Sequence, residues 1–150
     1  MVDTRILLVD DHQLWRVTVR SILEGTRKFR IVGEASDGME AIEKASTLLP
    51  DLVLLDIGLP KLNGIEAAKR IKQTSPESKI IYLTQEQDSD IRSAALATGA
   101  EAYVVKSKAS GELLHTIESV IVKPKTSCAH TQYPTLESSI LLLVLNCANL

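Results

Sequence analysis

The sequence predicts an α/β fold, in which helices cover both faces of a parallel β-sheet, and three observations lead to that prediction. Five short apolar runs alternate along the chain with five segments of helical periodicity. The run Leu52–Leu55 is apolar without interruption, which is typical of a strand buried on both faces. It ends abruptly in a carboxylate, Asp56, and turn-forming residues follow. Such alternation gives a parallel sheet with right-handed crossovers.

The strands are predicted from short runs rich in Ile, Val, Leu and Tyr. Each run has the length of a strand rather than of a helix, and turn-forming or polar residues bound it. The second run, FRIVG, is the weakest of them. The five predicted strands are Arg5–Val9, Phe29–Gly33, Asp51–Leu55, Lys79–Leu83 and Ala100–Val105.

The helices are predicted because apolar residues recur at helical spacing after every strand. In the second helix, for example, Ala41 and Ala45 fall on one face, and Pro50 ends the segment. Asp11 or the residue after it is expected to cap the first helix. The predicted helices are a first one through Trp15–Leu23, then Gly38–Leu49, Gly64 to just before Pro76, Asp88–Thr98 and Ser110–Val122.

Composition describes an ordinary globular chain. Of its 150 residues, 45% are hydrophobic and 24% are charged, and the net charge is −2. This length suits one domain with a real core, and the charge offers no global basic field for nucleic acid. We expect a cytoplasmic protein without a secretory signal or a membrane span, since no run reaches roughly 18 apolar residues. The two cysteines, Cys128 and Cys147, form no CxxC pattern and are expected to be free thiols.

Polar residues follow four of the five strands: Asp10 and Asp11, Asp56, Thr84 and Lys106. The carboxyl ends of parallel strands open on one edge of the sheet, so these side chains are expected to meet there. Three carboxylates repel one another, and a hard divalent cation removes that repulsion; Mg²⁺ fits best. A carboxylate nucleophile beside a metal ion and a lysine is suited to phosphoryl transfer onto Asp56.

Structural interpretations stand beside this functional one. An Asp-Asp pair at a strand–helix junction is often a helix cap with a solvated charge, and one Asp or Lys at a strand end is weak evidence. The combination of all of them at the predicted edge favours function. Trp15 and Tyr82 are interpreted as core residues, and His12 as an exposed residue of the first helical turn rather than a ligand.

Four segments carry a resemblance to a known family: ILLVDDH (Ile6–His12), LVLLDIGLPKLNGIEA (Leu52–Ala67), IIYLT (Ile80–Thr84) and AYVVKS (Ala102–Ser107). Through them the chain resembles the receiver domain of response regulators in two-component signalling, over about Thr4 to Val122. The resemblance implies a flavodoxin-like, doubly wound five-stranded parallel sheet in the order 2-1-3-4-5 with five helices. It also implies that Asp56 accepts a phosphoryl group from a sensor histidine kinase.

The same resemblance implies roles for the other residues. Thr84 and Lys106 would hold the phosphoryl oxygens, and Tyr103 would be the aromatic residue whose orientation reports activation. Such a domain is not an enzyme toward other substrates, because it promotes only its own phosphorylation and dephosphorylation. The implied Mg²⁺ ligands are Asp10 (partly through water), Asp11, Asp56 and the backbone carbonyl of Gly58.

The start DDH, the segment IVGEASDGMEA and the KS pair after the fifth strand resemble the branch with a LuxR/NarL-type helix-turn-helix output. Gln85 departs from the family, which usually has a small residue after the threonine. Its longer side chain is expected to hinder phosphodonor access and the inward movement of Thr84. Ser107 replaces the proline of many receivers, which is normal in this branch.

The composition changes after Val122, so we predict a receiver domain at 1–122 and a linker with a short apolar segment at 123–150. The apolar stretch Ser138–Leu145 resembles the first helix of a truncated output domain, but an unrelated helix is favoured, because few apolar matches are needed. DNA binding by this chain is not expected, whereas an exposed Ile140–Leu145 would promote homodimer formation.

Two rival functions stay open. A Mg²⁺-dependent phosphohydrolase with Asp56 as nucleophile ranks low, because Gly58 stands where such enzymes carry a second Asp. The other rival is a phosphorylation-independent interaction or dimerisation module with the receiver fold, which Gln85 and the missing effector domain keep open.

Overall fold

A computed structural model describes residues 3–122, and within them five strands form one parallel sheet. The strands are β1 (Thr4–Val9), β2 (Phe29–Ala35), β3 (Leu52–Leu55), β4 (Lys79–Thr84) and β5 (Ala102–Val105). Their order across the sheet is β2-β1-β3-β4-β5, which confirms the predicted order. The interpretation of residues 123–150 falls outside the described part of the chain.

A helix follows every strand, as the periodicity predicts. The helices are α1 (Gln13–Leu23), α2 (Gly38–Leu48), α3 (Gly64–Thr74), α4 (Ser89–Leu96) and α5 (Ala109–Ile121). A single turn of 3-10 helix, Lys106–Lys108, joins β5 to α5 and was not predicted. No helix within residues 3–122 is long and apolar enough to cross a bilayer.

Side-chain caps explain where three of the helices begin. Asp37, Asn63 and Asp88 each stand just before a helix and accept a hydrogen bond from a backbone N–H in its first turn. The first helix differs, because the residue at its N-cap is His12, whose side chain makes no capping bond. The sequence predicts that Asp11 or the residue after it caps this helix. His12 does occupy the N-cap position, but its side chain does not accept a hydrogen bond from the helix backbone.

The fifth strand is shorter than predicted, because a side chain takes over one of its hydrogen bonds. The Glu101 N–H donates to the Ile80 carbonyl at 2.8 Å, as a strand residue would. The Ile80 N–H, however, donates to the Glu101 carboxylate at 2.8 Å. The ladder therefore starts only at Ala102. The fourth helix also ends early, and Gly99 follows it with a φ of +95°, a conformation that favours glycine.

The sheet separates two apolar clusters, one on each face. Alternate residues of β1 and β3 supply both: Leu7 and Val53 face α2, α3 and α4, whereas Ile6 and Leu54 face α1 and α5. All four residues of Leu52–Leu55 have no exposed surface, which confirms a central strand buried on both faces. Trp15, interpreted as a core residue, is only half-buried at the rim of the second cluster.

Burial of Tyr82 makes the stability of the fold sensitive to alkali. Its hydroxyl lies 3.0 Å from the Thr98 hydroxyl, and burial raises the pKa of Tyr82 from 10.0 to about 12. A raised pKa means that the folded state keeps its proton longer than the unfolded chain. The stabilising contribution is therefore complete below about pH 10 and is lost as the pH rises towards 12.

We predict that Tyr82→Phe removes this dependence. In the wild-type protein the free energy of unfolding should fall between pH 10 and 12 by an amount on the order of 2 kcal/mol more than in Tyr82→Phe. Urea denaturation at a series of pH values measures the difference. The prediction would be contradicted if the free energy of unfolding fell by the same amount in both proteins between pH 10 and 12.

Candidate functional site

Four of the buried polar side chains lie at one edge of the sheet. Asp10, Asp56, Thr84 and Lys106 follow or end β1, β3, β4 and β5, which are neighbours in the sheet. Their exposed fractions are 1%, 5%, 2% and 8%. A charged group is expensive to bury without a partner, so their placement together needs an electrostatic reason.

Lys106 supplies that reason. Its Nζ lies 2.6 Å from Asp10 Oδ2 and 3.1 Å from Asp56 Oδ2, so one ammonium contacts two buried carboxylates. Such charge-assisted contacts are stronger than neutral hydrogen bonds. They hold the ends of β1, β3 and β5 together on the side of the sheet where the strands stop.

Backbone groups fix the orientation of both carboxylates. Asp56 Oδ1 accepts from the Ile57 N–H at 2.8 Å, and the Asp56 N–H donates to the Val9 carbonyl at 3.1 Å. Asp10 Oδ1 accepts from the His12 N–H at 2.9 Å. Each carboxylate thus has one oxygen directed at backbone and the other at Lys106.

Asp11 and His12 complete an acidic cluster at the surface of this edge. One potential ligand atom from each of Asp10, Asp11, His12 and Asp56 lies within 4.8 Å of all the others. The His12 side chain is 67% exposed, as expected for a first-turn residue, and its Nδ1 lies 3.1 Å from Asp11 Oδ1. Three carboxylates against one buried ammonium leave negative charge in excess. An oxygen-rich, anionic site of this kind fits a hard divalent cation.

Thr84 and Tyr103 are linked through one residue of the loop after β4. The Thr84 hydroxyl accepts from the Glu86 N–H at 3.2 Å, and the Tyr103 hydroxyl donates to the Glu86 carbonyl at 2.7 Å. Tyr103 is 8% exposed, and burial, followed by the nearby Glu86 carboxylate, raises its pKa. Arg92 of α4 lies 5.0 Å from the centre of the Tyr103 ring. The predicted switch residue is therefore packed between the loop and α4.

Gln85 is exposed and lines an open groove of about 680 Å³ beside the site. Lys106, Ser107, His12 and Trp15 line the same groove. Gln85 therefore lies in the same groove as Lys106, and its hindrance of phosphodonor access stays a prediction. The position of the Gly58 carbonyl as a metal ligand stays a prediction.

Arg16 supports the site and was missed by the sequence reasoning. Its guanidinium donates to the Asp10 carbonyl at 2.5 Å and to Glu34 Oε1 of β2 at 2.8 Å. Glu34 also pairs with Arg20, one turn further along α1. This network links α1 to β2, and through Arg16 it also binds the backbone carbonyl of Asp10. The sequence does show that Arg16 and Arg20 lie on one face of the helix. It does not show their shared anionic partner, because Glu34 lies on β2.

The comparison with known families agrees with the fold. Residues 6–118 match the model of the response regulator receiver domain, and the chain therefore belongs to that family. The response regulator UvrY of Escherichia coli K12 is 37% identical over 115 residues, which are 77% of this chain and 53% of UvrY. The chain thus spans about half the length of the curated relatives that it matches.

Solved structures give the same result. The two-component response regulator of the LuxR family from Aurantimonas sp. SI85-9A1 is similar with a TM-score of 0.76 and 36% identity, covering 80% of this chain and 86% of that one. The response regulator domain of Thermotoga maritima CheB has a TM-score of 0.76 and 32% identity, covering 83% of this chain and all of that one. The relatives support the LuxR/NarL-type branch that the motifs indicated.

The loop that carries Asp56 is held too tightly to admit a side chain at Gly64. A Cβ there would lie 2.0 Å from the Asp56 carbonyl oxygen. We predict that Gly64→Ala lowers the free energy of unfolding by about 2 kcal/mol or more, because backbone must move to relieve the overlap. Urea denaturation measures the loss.

Gly111→Ala is the matched control, because a Cβ at this helical position meets nothing within 4 Å. It should leave stability unchanged or raise it by up to about 1 kcal/mol. If Gly64→Ala were as stable as this control, the contact between α3 and Asp56 would not constrain the site.

Proposed function

We propose that this chain is a phosphoacceptor receiver, in which Asp56 takes a phosphoryl group from a sensor histidine kinase. The observation that carries the proposal is the contact of the Lys106 ammonium with two buried carboxylates, Asp10 and Asp56. Buried ion pairs contribute little to stability after their desolvation cost. A preorganised ammonium is, however, suited to a place where negative charge is about to be added.

Mg²⁺ is the cofactor that the donor set fits. Asp10, Asp11 and Asp56 would hold it, with the Gly58 carbonyl as the further oxygen ligand that the family resemblance implies. Their close grouping and the excess of carboxylates over ammonium support this assignment. When bound, the ion supplies positive charge that offsets the negative charge of an incoming phosphoryl group.

The residues of the chain do the rest. A carboxylate oxygen of Asp56 forms a bond to phosphorus while the bond from phosphorus to the imidazole nitrogen of the donor breaks, and the imidazole leaves. The Ile57 N–H and Lys106 hold the carboxylate in place. Lys106 and Thr84 then contact the phosphoryl oxygens. The chain acts on itself only and is not an enzyme for other substrates.

The signal is a change of surface. Phosphorylation adds roughly −1.5 to −2 charge and three acceptor oxygens at Asp56. When Thr84 turns towards those oxygens, its hydrogen bond to Glu86 changes, and Glu86 also holds Tyr103. The loop, Tyr103 and α4 therefore shift together between two states, and the phosphoryl group biases their equilibrium.

Partner proteins would bind differently to the two states of this surface. We place the chain in the cytoplasm, where it would receive the phosphoryl group in a phosphorelay. Self-association and the lack of DNA binding by this chain stay predictions. The alternative is a phosphorylation-independent interaction or dimerisation module.

Labelling tests the phosphoacceptor. With a small phosphodonor and Mg²⁺, the wild-type protein should acquire an acid-stable, alkali-labile label, and Asp56→Ala should acquire none. Asp90→Ala is a matched control, because Asp90 is an exposed aspartate of α4, away from the acidic cluster. It should label like the wild-type protein. Continued acid-stable labelling of Asp56→Ala would remove Asp56 from this role.

Fluorescence separates the receiver from the module. Trp15 is the only tryptophan, and its ring lies 5.3 Å from Lys106 Nζ. We expect Mg²⁺ to quench its emission and beryllofluoride, a phosphoryl mimic, to change it again. A spectrum that responds to neither would favour the phosphorylation-independent module.

A further inference from the structure

We propose that Trp15 is a positioning residue for Lys106: its indole face forms the third side of the ammonium site and keeps Lys106 at the sheet edge when its partners change. This inference rests on the proposed function, because it concerns the lysine that would contact the phosphoryl group. Nothing in the sequence pattern pointed to it, since Trp15 was interpreted as a core residue.

The contacts of Lys106 leave one side for the ring. An ammonium has three N–H donors. One of them is donated to Asp56 Oδ2 at 3.1 Å, and the ammonium also forms an ion pair with Asp10 Oδ2 at 2.6 Å. The ammonium also lies over the Trp15 ring, 5.3 Å from its centroid. This distance is within the range of an attractive cation–π contact.

Packing alone fixes the orientation of the Trp15 ring. Trp15 stands in the first turn of α1 and packs against the apolar cluster that α1, α5 and the sheet share. Its buried Nε1 makes no hydrogen bond within residues 3–122. The indole is therefore not turned by a polar partner, and it presents its face to Lys106.

An aromatic face suits this position better than the alternatives. A carboxylate or carbonyl at this side would bind the ammonium directionally and compete with the phosphoryl oxygens for its N–H donors. An aliphatic side chain would give the third side of a buried charge no electrostatic partner. The indole attracts the cation without accepting a directed hydrogen bond, so Lys106 stays in place yet can re-aim its donors.

The groove beside the site explains why a restraint matters. Trp15 and Lys106 line the same open groove of about 680 Å³, together with Gln85 and Ser107. A smaller side chain at position 15 would widen the groove next to the ammonium. Lys106 could then turn towards solvent and away from Asp56.

The test compares Trp15→Leu with Trp15→Phe, which keeps an aromatic face. Each is made in the wild-type protein and in Lys106→Met, and the rate of labelling by a small phosphodonor with Mg²⁺ is measured. We expect Trp15→Leu to slow labelling about three- to tenfold and Trp15→Phe about twofold or less. In the Lys106→Met background, Trp15→Leu should have no further effect, because the residue acts through the lysine.

A spectroscopic readout reports the position of Lys106 without phosphate. The ring current of the indole should shift the NMR resonances of the Lys106 side-chain methylene protons, and Trp15→Leu should abolish that shift. Leu114→Ala is the control for general loosening, because Leu114 packs against the same cluster from α5. It should lower the melting temperature without changing the labelling rate. If Trp15→Leu does not fold, Trp15→Met takes its place.

The outcomes separate two failures. No label on the wild-type protein would overturn the proposed function. A labelled wild-type protein with an equally fast Trp15→Leu would overturn the role of Trp15 alone. Equal losses in Trp15→Leu and Trp15→Phe, or a loss that persists in Lys106→Met, would show a merely structural role and would also overturn it.

Discussion

The arrangement of this domain depends on one electrostatic constraint: a single ammonium, Lys106, must satisfy two buried carboxylates at the end of the sheet. Neither Asp10 nor Asp56 could be buried alone without a large cost. The strand order makes the constraint possible, because it sets the end of β3 beside that of β1 and brings β5 close enough for Lys106 to reach across. The same arrangement leaves negative charge in excess at this edge, which suits a hard divalent cation.

Different kinds of contact fix the segments that follow the strands at this edge of the sheet. The segment after β3 is packed closely, since Gly64 of α3 approaches the Asp56 carbonyl where no side chain would fit. Beneath Asp10, Arg16 joins the end of β1 to Glu34 of β2. The loop after β4, in contrast, depends on hydrogen bonds of Glu86 with Thr84 and Tyr103. The loop after β4 is therefore linked to the site by hydrogen bonds, whereas the segment after β3 is fixed by close backbone packing.

Supporting contacts could not be found by inspection of the sequence. Arg16 and Trp15 lie outside the recognisable motifs, and each acts on a residue from another element. An arginine on a helix is usually a solvated charge, and a tryptophan among apolar residues is usually part of a core. Their roles follow from how α1 lies against β2 and against the start of the segment after β5, which no local pattern specifies.

The sequence by itself determined the five strands and five helices, because apolar periodicity and turn residues are local properties. It also determined which polar residues follow the strands, and hence that Asp10, Asp56, Thr84 and Lys106 face one edge. Only the tertiary structure decided that Lys106 bridges both carboxylates, that β5 starts at Ala102 and that Trp15 lies against the ammonium. These are distances between side chains far apart in the chain, and packing rather than local preference sets them.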